Sequence, residues 1–398
     1  MTFEILETET NGTIIKVVGV GGAGGNAVEH MIKRGVQGVE FICANTDHQA
    51  LARASARNII QLGKTGLGAG SKPEAGRAAA EEARERLADA LRGAHMVFIT
   101  AGMGGGTGTG AAPIVAAVAK ELGILTVGVI SKPFEFEGLR RMKVAEAGVG
   151  DLENQVDSLI VILNNKLEEL MGEDAEMADC FRAADDVLHN AVAGIAEIIN
   201  IPGLVNVDFE DVKTVMGERG KAMMGTATAS GLDRARVAAE QAVASPLLEG
   251  VDLSGARGVL VNITASSSLK MKETREVMNT IRAFAAEDAT VIFGTVCDEA
   301  MGDALRVTVV ATGLGRTANR KQSTPFTVIK TGTHDMPMAQ PVGVSPAASA
   351  SHGGGDYSHF DTPAVWRSRE SAAARVAAME ESGADRYDIP AFLRKQAD

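Results

Sequence analysis

The chain has 398 residues, with 51 acidic against 39 basic side chains and a formal net charge of −12. That balance excludes nucleic acid as the main partner, because a phosphate backbone rewards basic patches, and an aromatic content of 4% leaves no base-stacking platform. Hydrophobic residues make up 45% of the chain, enough for two globular domains and a tail. The cysteines, Cys43, Cys180 and Cys297, lack metal-ligand spacing and read as small apolar residues of a reducing compartment. There is no signal peptide and no uncharged apolar run long enough to span a bilayer, so a soluble, cytoplasmic protein is expected, and any membrane role needs a tether.

Residues 1–12 are polar and acidic, a loose leader. Residues 14–20 read as a strand running into Gly21, Gly22, Ala23, Gly24, Gly25 and Asn26, then a helix to Met31. Gly19, Gly21 and Gly24 match the dinucleotide fingerprint G-x-G-x-x-G, with Glu40 or Asp47 near the position of a ribose-binding acid. A further strand at 39–44 leads to the glycine-rich turn 66–70, which holds Ala69 and Gly70. After Pro73 a charged helix runs to Leu91.

The stretch 102–110 organises the rest of the chain. It follows a buried strand at 96–101, contains Gly104, Gly105, Gly106, Thr107, Gly108 and Thr109, and opens into an alanine-rich helix from residue 111 with Pro113 in its first turn. Glycines let backbone N–H groups approach phosphate oxygens, a helix N-terminus adds partial positive charge, and Thr107 and Thr109 can donate hydroxyls. Strands at 123–130 and 157–163 continue the alternation. The pattern predicts an α/β fold: a doubly wound parallel sheet with its ligand at the carboxyl edge.

From Met177 to Asn200 apolar residues recur at helical spacing, among them Phe181, Leu188, Val192 and Ile195, and the helix ends at Ile201-Pro202-Gly203. Next comes an acidic turn with Asn206, Asp208 and Asp211, leading into another helix; an acid three residues after an Asp is also a capping pattern. Residues 221–315 predict a smaller α+β domain, with strands near 257–265, 289–296 and 305–312 and helices near 233–244 and 272–286. The Ala/Ser/Gly/Thr/Pro-rich stretch 316–386 predicts a disordered linker. At 387–398, Pro390 starts a short helix with Ile389, Phe392 and Leu393 on one face, followed by Arg394 and Lys395, a pattern that fits a docking peptide.

Taken together and in order, the glycine turns at 21–26 and 66–70, the stretch 104–110, the acidic turn 206–211 and the terminal peptide resemble the tubulin/FtsZ family of GTPases. The resemblance covers 13–315 and the last dozen residues. It implies a GTP-binding domain at 13–176, a central helix at 177–201, a catalytic loop and helix at 202–220 and the second domain at 221–315. It further implies GTP and GDP as ligands with Mg2+ on the phosphates, and no confident metal ligand among protein side chains. Gly21 to Asn26 and Gly104 to Thr109 would surround the phosphates, and Ala69 and Gly70 would lie near the γ-phosphate. Glu137 and Arg141 would contact the ribose, Phe181 would pack on the guanine, and Asp185 would read it, since a carboxylate can accept from N1–H and the 2-amino group together.

Asp208 and Asp211, with Asn206 beside them, are the candidates for orienting and polarising the attacking water. About sixteen helical residues separate Asp185 from Ile201, roughly 24 Å, so these acids cannot reach the γ-phosphate of their own chain. They would act on a neighbour stacked head-to-tail, a contact that propagates into a filament. By resemblance the filament forms the contractile division ring on the cytoplasmic side of the membrane, tethered through the terminal peptide to FtsA and ZipA. Two rival readings remain at this level. A nicotinamide-dependent oxidoreductase accounts for the first glycine loop alone, and a non-hydrolysing nucleotide scaffold leaves Asp208 and Asp211 without a role.

Overall fold

Aliphatic runs with no polar alternation form strands covered on both faces. The computed structural model describes residues 12–314 except 173–174, 202, 219, 246–255 and 287–288. Residues 1–11 of the expected leader, the expected linker and the docking peptide with Ile389, Pro390, Phe392, Leu393, Arg394 and Lys395 lie outside the described residues. Strands β1 (Ile15–Val20), β2 (Val39–Asn45), β3 (Asn58–Gln61), β4 (Met96–Gly102), β5 (Leu125–Lys132) and β6 (Ser158–Leu163) run parallel in the order β3-β2-β1-β4-β5-β6. The order reverses between β1 and β4, and a crevice outside the carboxyl ends of such a pair is where doubly wound folds take their ligands.

Helices α1 (Gly21–Arg34), α2 (His48–Ala52), α3 (Pro73–Glu82), α4 (Arg84–Leu91), α5 (Thr107–Glu121), α6 (Leu139–Glu153) and α7 (Asn164–Met171) connect these strands. On one face, Val28 and Met31 of α1 share a core with Leu188, Val192 and Ile195 of the 24-residue helix α8 (Met177–Asn200). On the other face the core is built from α3 to α6, with Leu87, Val115 and Leu152 packed on Val97 and Ile99.

After α8 come α9 (Phe209–Met216), β7 (Gly220–Ser230), α10 (Arg234–Val243), β8 (Gly258–Ala265), α11 (Met271–Arg282), β9 (Thr290–Cys297) and β10 (Ala304–Leu314). These strands extend the same sheet. β7 pairs parallel to β6 through residues 158–160, β10 lies antiparallel between β7 and β8, and β9 runs parallel to β8 at the edge. Their own core includes Ala238, Ile263, Val277 and Val307.

Several expectations are corrected. The first glycine stretch is helical, with α1 beginning at Gly21 itself, whereas in the second Gly104 to Gly106 form a turn and α5 begins at Thr107, so Pro113 falls in its second turn. Within α5, a Cβ at Gly110 would strike the Pro73 carbonyl of α3, so a bare backbone there lets the two helices touch. The single charged helix expected before Leu91 breaks at Ala83 into α3 and α4. Cys43 and Cys180 are buried, but Cys297 is exposed, its thiol directed at Glu299 Oε1 at 3.6 Å.

Helix α8 runs across the sheet from one strand edge to the other. Near its start Phe181 meets Phe134 edge-on with ring centroids 5.3 Å apart, just beyond the carboxyl end of β5. At its end Asn200 Nδ2 donates to the Gly38 carbonyl at 2.6 Å, immediately before the amino end of β2. Among the described residues no helix is long and apolar enough to cross a membrane.

Candidate functional site

At the switch between β1 and β4, two helix N-termini converge. Gly21, with φ 75°, turns the chain out of β1 into α1, and a Cβ there would lie 2.9 Å from the amide nitrogen of Gly108 in α5. Neither helix has a side-chain cap or an acid in its first turn. By contrast α9 is capped by Asp208 and carries Glu210 and Asp211 in its first turn. The uncapped amides leave orphan N–H donors and two positive dipole ends facing one opening, an arrangement suited to an anion.

The glycines divide by what surrounds them. A side chain at Gly24 would meet the Thr100 carbonyl, at Gly106 the Lys72 amide and Ala69, and at Gly108 the Gly102 carbonyl at 2.5 Å. These three are glycines because backbones touch there. Gly22, Gly25, Gly70 and Gly105 have nothing within 4 Å of a notional Cβ and so border open space. Ala23 and Asn26 are exposed on α1 between them. Thr109 is buried, its hydroxyl accepting from the Gly104 amide at 2.9 Å, so it organises the loop. Thr107 Oγ1 pairs at 2.6 Å with Thr46 Oγ1.

From Gly104 the contacts run on around the opening. A Cβ at Gly104 would lie 2.7 Å from Arg141 Cγ. Arg141 Nε is 3.1 Å from Glu137 Oε2, and Glu137 Oε1 accepts from the Phe134 amide at 3.0 Å. Phe134 carries Phe181, whose ring is half exposed, and Asp185 lies one helical turn further on the same side of α8. Burial pushes the Asp185 carboxyl up to about 6, opposed by the nearby His30 and reinforced by Asp186.

Sequence reasoning passed over three members of this rim. Thr46 and Asn45 are buried at the carboxyl end of β2. Asn164 follows β6 and has a buried Oδ1 with no hydrogen-bond partner among the described residues. An amide immediately after a β-strand in a parallel sheet was the available signal, since that position points at the ligand edge. The two acids required by the dinucleotide reading are otherwise engaged: Asp47 caps α2 by accepting from Gln49 and Ala50, and Glu40 pairs with Lys16 at 3.5 Å.

The acidic turn lies at the opposite strand edge. Asp208 Oδ1 accepts from the Asp211 amide at 2.8 Å as the cap of α9, and Asn206 Oδ1 accepts from the Gly203 amide at 2.7 Å. Val205 holds the turn to β9 through paired bonds with Thr295. Asn206, Asp208 and Asp211 are exposed, and Asp211 makes no side-chain hydrogen bond to a described residue. Phe209, at the start of α9, meets His95 just before the amino end of β4.

Residues 14–172 match the model of the tubulin/FtsZ family GTPase domain, and residues 220–315 match the FtsZ family C-terminal domain. The cell division protein FtsZ of Coxiella burnetii is 54% identical over 398 residues, covering 99% of both chains, and that of Pseudomonas aeruginosa is 53% identical across the full length of both. The chain belongs to the FtsZ family. A solved structure titled as an empty FtsZ dimer from M. jannaschii superposes with TM-score 0.73 at 42% identity, covering 77% of this chain and 89% of that one. The fold extends to CetZ2 of Haloferax volcanii at 21% identity and TM-score 0.64, over 76% of this chain and 94% of that one. As a member of the FtsZ family the chain is a guanine-nucleotide-binding, GTP-hydrolysing cell-division protein, and the oxidoreductase and non-hydrolysing scaffold readings are set aside.

Proposed function

We propose that GTP sits in the ring of contacts at the carboxyl strand edge and is hydrolysed when a second copy, stacked head-to-tail, brings its acidic turn onto the γ-phosphate. The observation that carries this reading is the separation of the two halves across α8: uncapped helix N-termini at one strand edge, unpartnered carboxylate at the other. A dimer among the solved relatives supports self-association.

In this reading the first-turn amides of α1 and α5, bordered by Gly22, Gly25 and Gly105, take the phosphates, with Ala69 and Gly70 at the outer end. Glu137 and Arg141 hold the ribose, Phe181 covers the base, and the Asp185 carboxylate accepts from guanine N1–H and its 2-amino group. Mg2+ would neutralise charge on the phosphate oxygens. Asp211 takes the water-orienting role and Asp208 fixes it, because Asp208 Oδ1 already accepts from the Asp211 amide. Asn206 shapes the turn by holding Gly203. Anchoring at the division site through residues 387–398, to adaptors such as FtsA and ZipA, belongs to the same proposal.

The test is complementation in a mixture. Asp211→Ala alone binds GTP and hardly hydrolyses it, and Gly105→Val alone binds it at least tenfold more weakly and turns over little at a GTP level that fills only the intact pocket. Mixed, they form junctions with one intact acidic turn facing one intact pocket, and turnover reappears. A mixture as inactive as its components overturns catalysis across the junction.

A further inference from the structure

The contacts around the opening run from Gly21 to Gly108, from Gly104 through Arg141 and Glu137 to Phe134, and from Phe134 to Phe181 on α8. They return to α1 through His30. His30 Nε2 lies 2.8 Å from Asp186 Oδ1, and Arg34 Nη2 lies 2.6 Å from the same oxygen. A carboxylate at this distance only accepts, so both side chains of α1 donate to one atom of α8. The pair joins residues 156 positions apart in sequence, and His30 is largely covered while Asp186 is half exposed.

Asp186 is the neighbour of Asp185. Successive helical side chains point about 100° apart, so fixing Asp186 against α1 fixes the rotation of α8 that directs Asp185 toward the side occupied by Phe181. The surroundings are charged on every side. Asp185, Asp186 and His189 face His30 from α8, Arg34 faces it from its own helix, and Arg306 of β10 acts on His189 beyond. The His189 ring stands edge-on to His30 with centroids 6.2 Å apart.

We propose that His30, with Arg34, is a positioning residue for guanine recognition: by holding Asp186 it sets the orientation in which the Asp185 carboxylate takes both guanine donors. The inference rests on the reading of Asp185 as the base-reading group. Its consequence is specificity. Loss of His30 lets the carboxylate swing, so N1–H and the 2-amino group are no longer met together.

GDP and IDP differ only in that 2-amino group, so their affinity ratio, measured by calorimetry on the full chain, isolates the contact. The parent protein is expected to favour GDP by about tenfold, the factor that accompanies a hydrogen bond to a charged acceptor. Asp185→Ala brings the ratio near one. His30→Ala and Asp186→Ala each lower it at least threefold, with most of the loss in GDP affinity, and His30→Gln, whose amide can still donate to Asp186, restores part of it. If His30→Ala is too unstable to measure, the comparison of Asp186→Ala with His30→Gln decides. Equal losses for GDP and IDP mean a merely structural role and overturn the proposal. A ratio that collapses in Asp185→Ala but stays at the parent value in the His30 and Asp186 variants overturns positioning while leaving the base reading intact. A ratio unmoved by Asp185→Ala overturns the base reading and the proposal with it.

Discussion

The two edges of the parallel sheet are built from opposite materials. At the carboxyl edge the working surface is backbone: glycines, two uncapped helix N-termini and few side chains. At the amino edge it is carboxylate, presented on a turn whose own amides are already capped. An edge made of unsatisfied donors is complete only with an anionic ligand, and an edge made of exposed acids has nothing in its own chain to act on. Under the proposed function, that separation is the reason one subunit would hold nucleotide and a second would be needed to cleave it.

The largest break in that contrast comes from the acidic edge. Asp211→Ala should lower GTP turnover about a hundredfold or more, the usual worth of a positioned general base, with GDP affinity unchanged in calorimetry. A parallel drop in affinity would move Asp211 into the binding edge. At the backbone edge the two kinds of glycine separate. Gly22→Val and Gly105→Val should weaken GDP binding at least tenfold with little change in Tm, since their Cβ atoms enter open space. Gly108→Val should instead lower Tm by several degrees, because its Cβ meets the Gly102 carbonyl at 2.5 Å and overpacking costs about 1–3 kcal/mol. Thermal melts beside binding curves distinguish the two outcomes.

A third, smaller effect follows from Asp185. Burial raises its carboxyl from the ordinary 3.8 of an aspartate to about 6, so the folded, nucleotide-free protein binds this proton more tightly than the unfolded chain. Between these values the folded state holds more protons, and stability falls as pH rises. Nucleotide-free Asp185→Asn should therefore melt above the parent at pH 7.5, with the gap closing toward pH 4. GDP affinity of the parent should weaken as pH drops through about 6, because the acceptor becomes protonated. The smallest effect is the cap: Asp208→Ala should cost about 1 kcal/mol of stability in denaturant melts, and Asp208→Asn much less, since Asn also caps.

These contrasts were unevenly legible in the sequence. β1, β4 and β5 are mostly apolar runs, and α8 carries a clear helical stripe, so the parallel sheet and its ligand edge could be read directly. β7 could not: Gly220–Ser230 is built of small residues with mixed exposure and becomes a strand by pairing with β10, far away in sequence. β3 is four residues long, too short for any period to show. The glycine stretches were read as backbone open to phosphate oxygens; that Gly108 and Gly110 are instead packed against the Gly102 and Pro73 carbonyls was not legible, because those contacts come from the preceding strand and from α3. Asp185 was found through resemblance, whereas His30 and Asn164 were not, because what marks them is a partner on another helix in one case and a missing partner in the other.

Among the described residues ten strands share one sheet, yet its lacing is uneven. β6 and β7 meet through three residue pairs, Ser158 with Gly220 to Ile160 with Ala222, whereas the β10 and β8 ladder runs from Leu305 to Thr312. Beside that narrow seam α8 adds side-chain contacts: Ile195 and Ile198 sit in the same core as Met224, Leu260 and Val310, Asn262 Nδ2 donates to the Gly194 carbonyl at 3.0 Å, and Arg306 Nη2 lies 3.3 Å from Glu197 Oε2. Deuterium should enter the amides at the short β6–β7 seam before those of the long β10 ladders with β7 and β8.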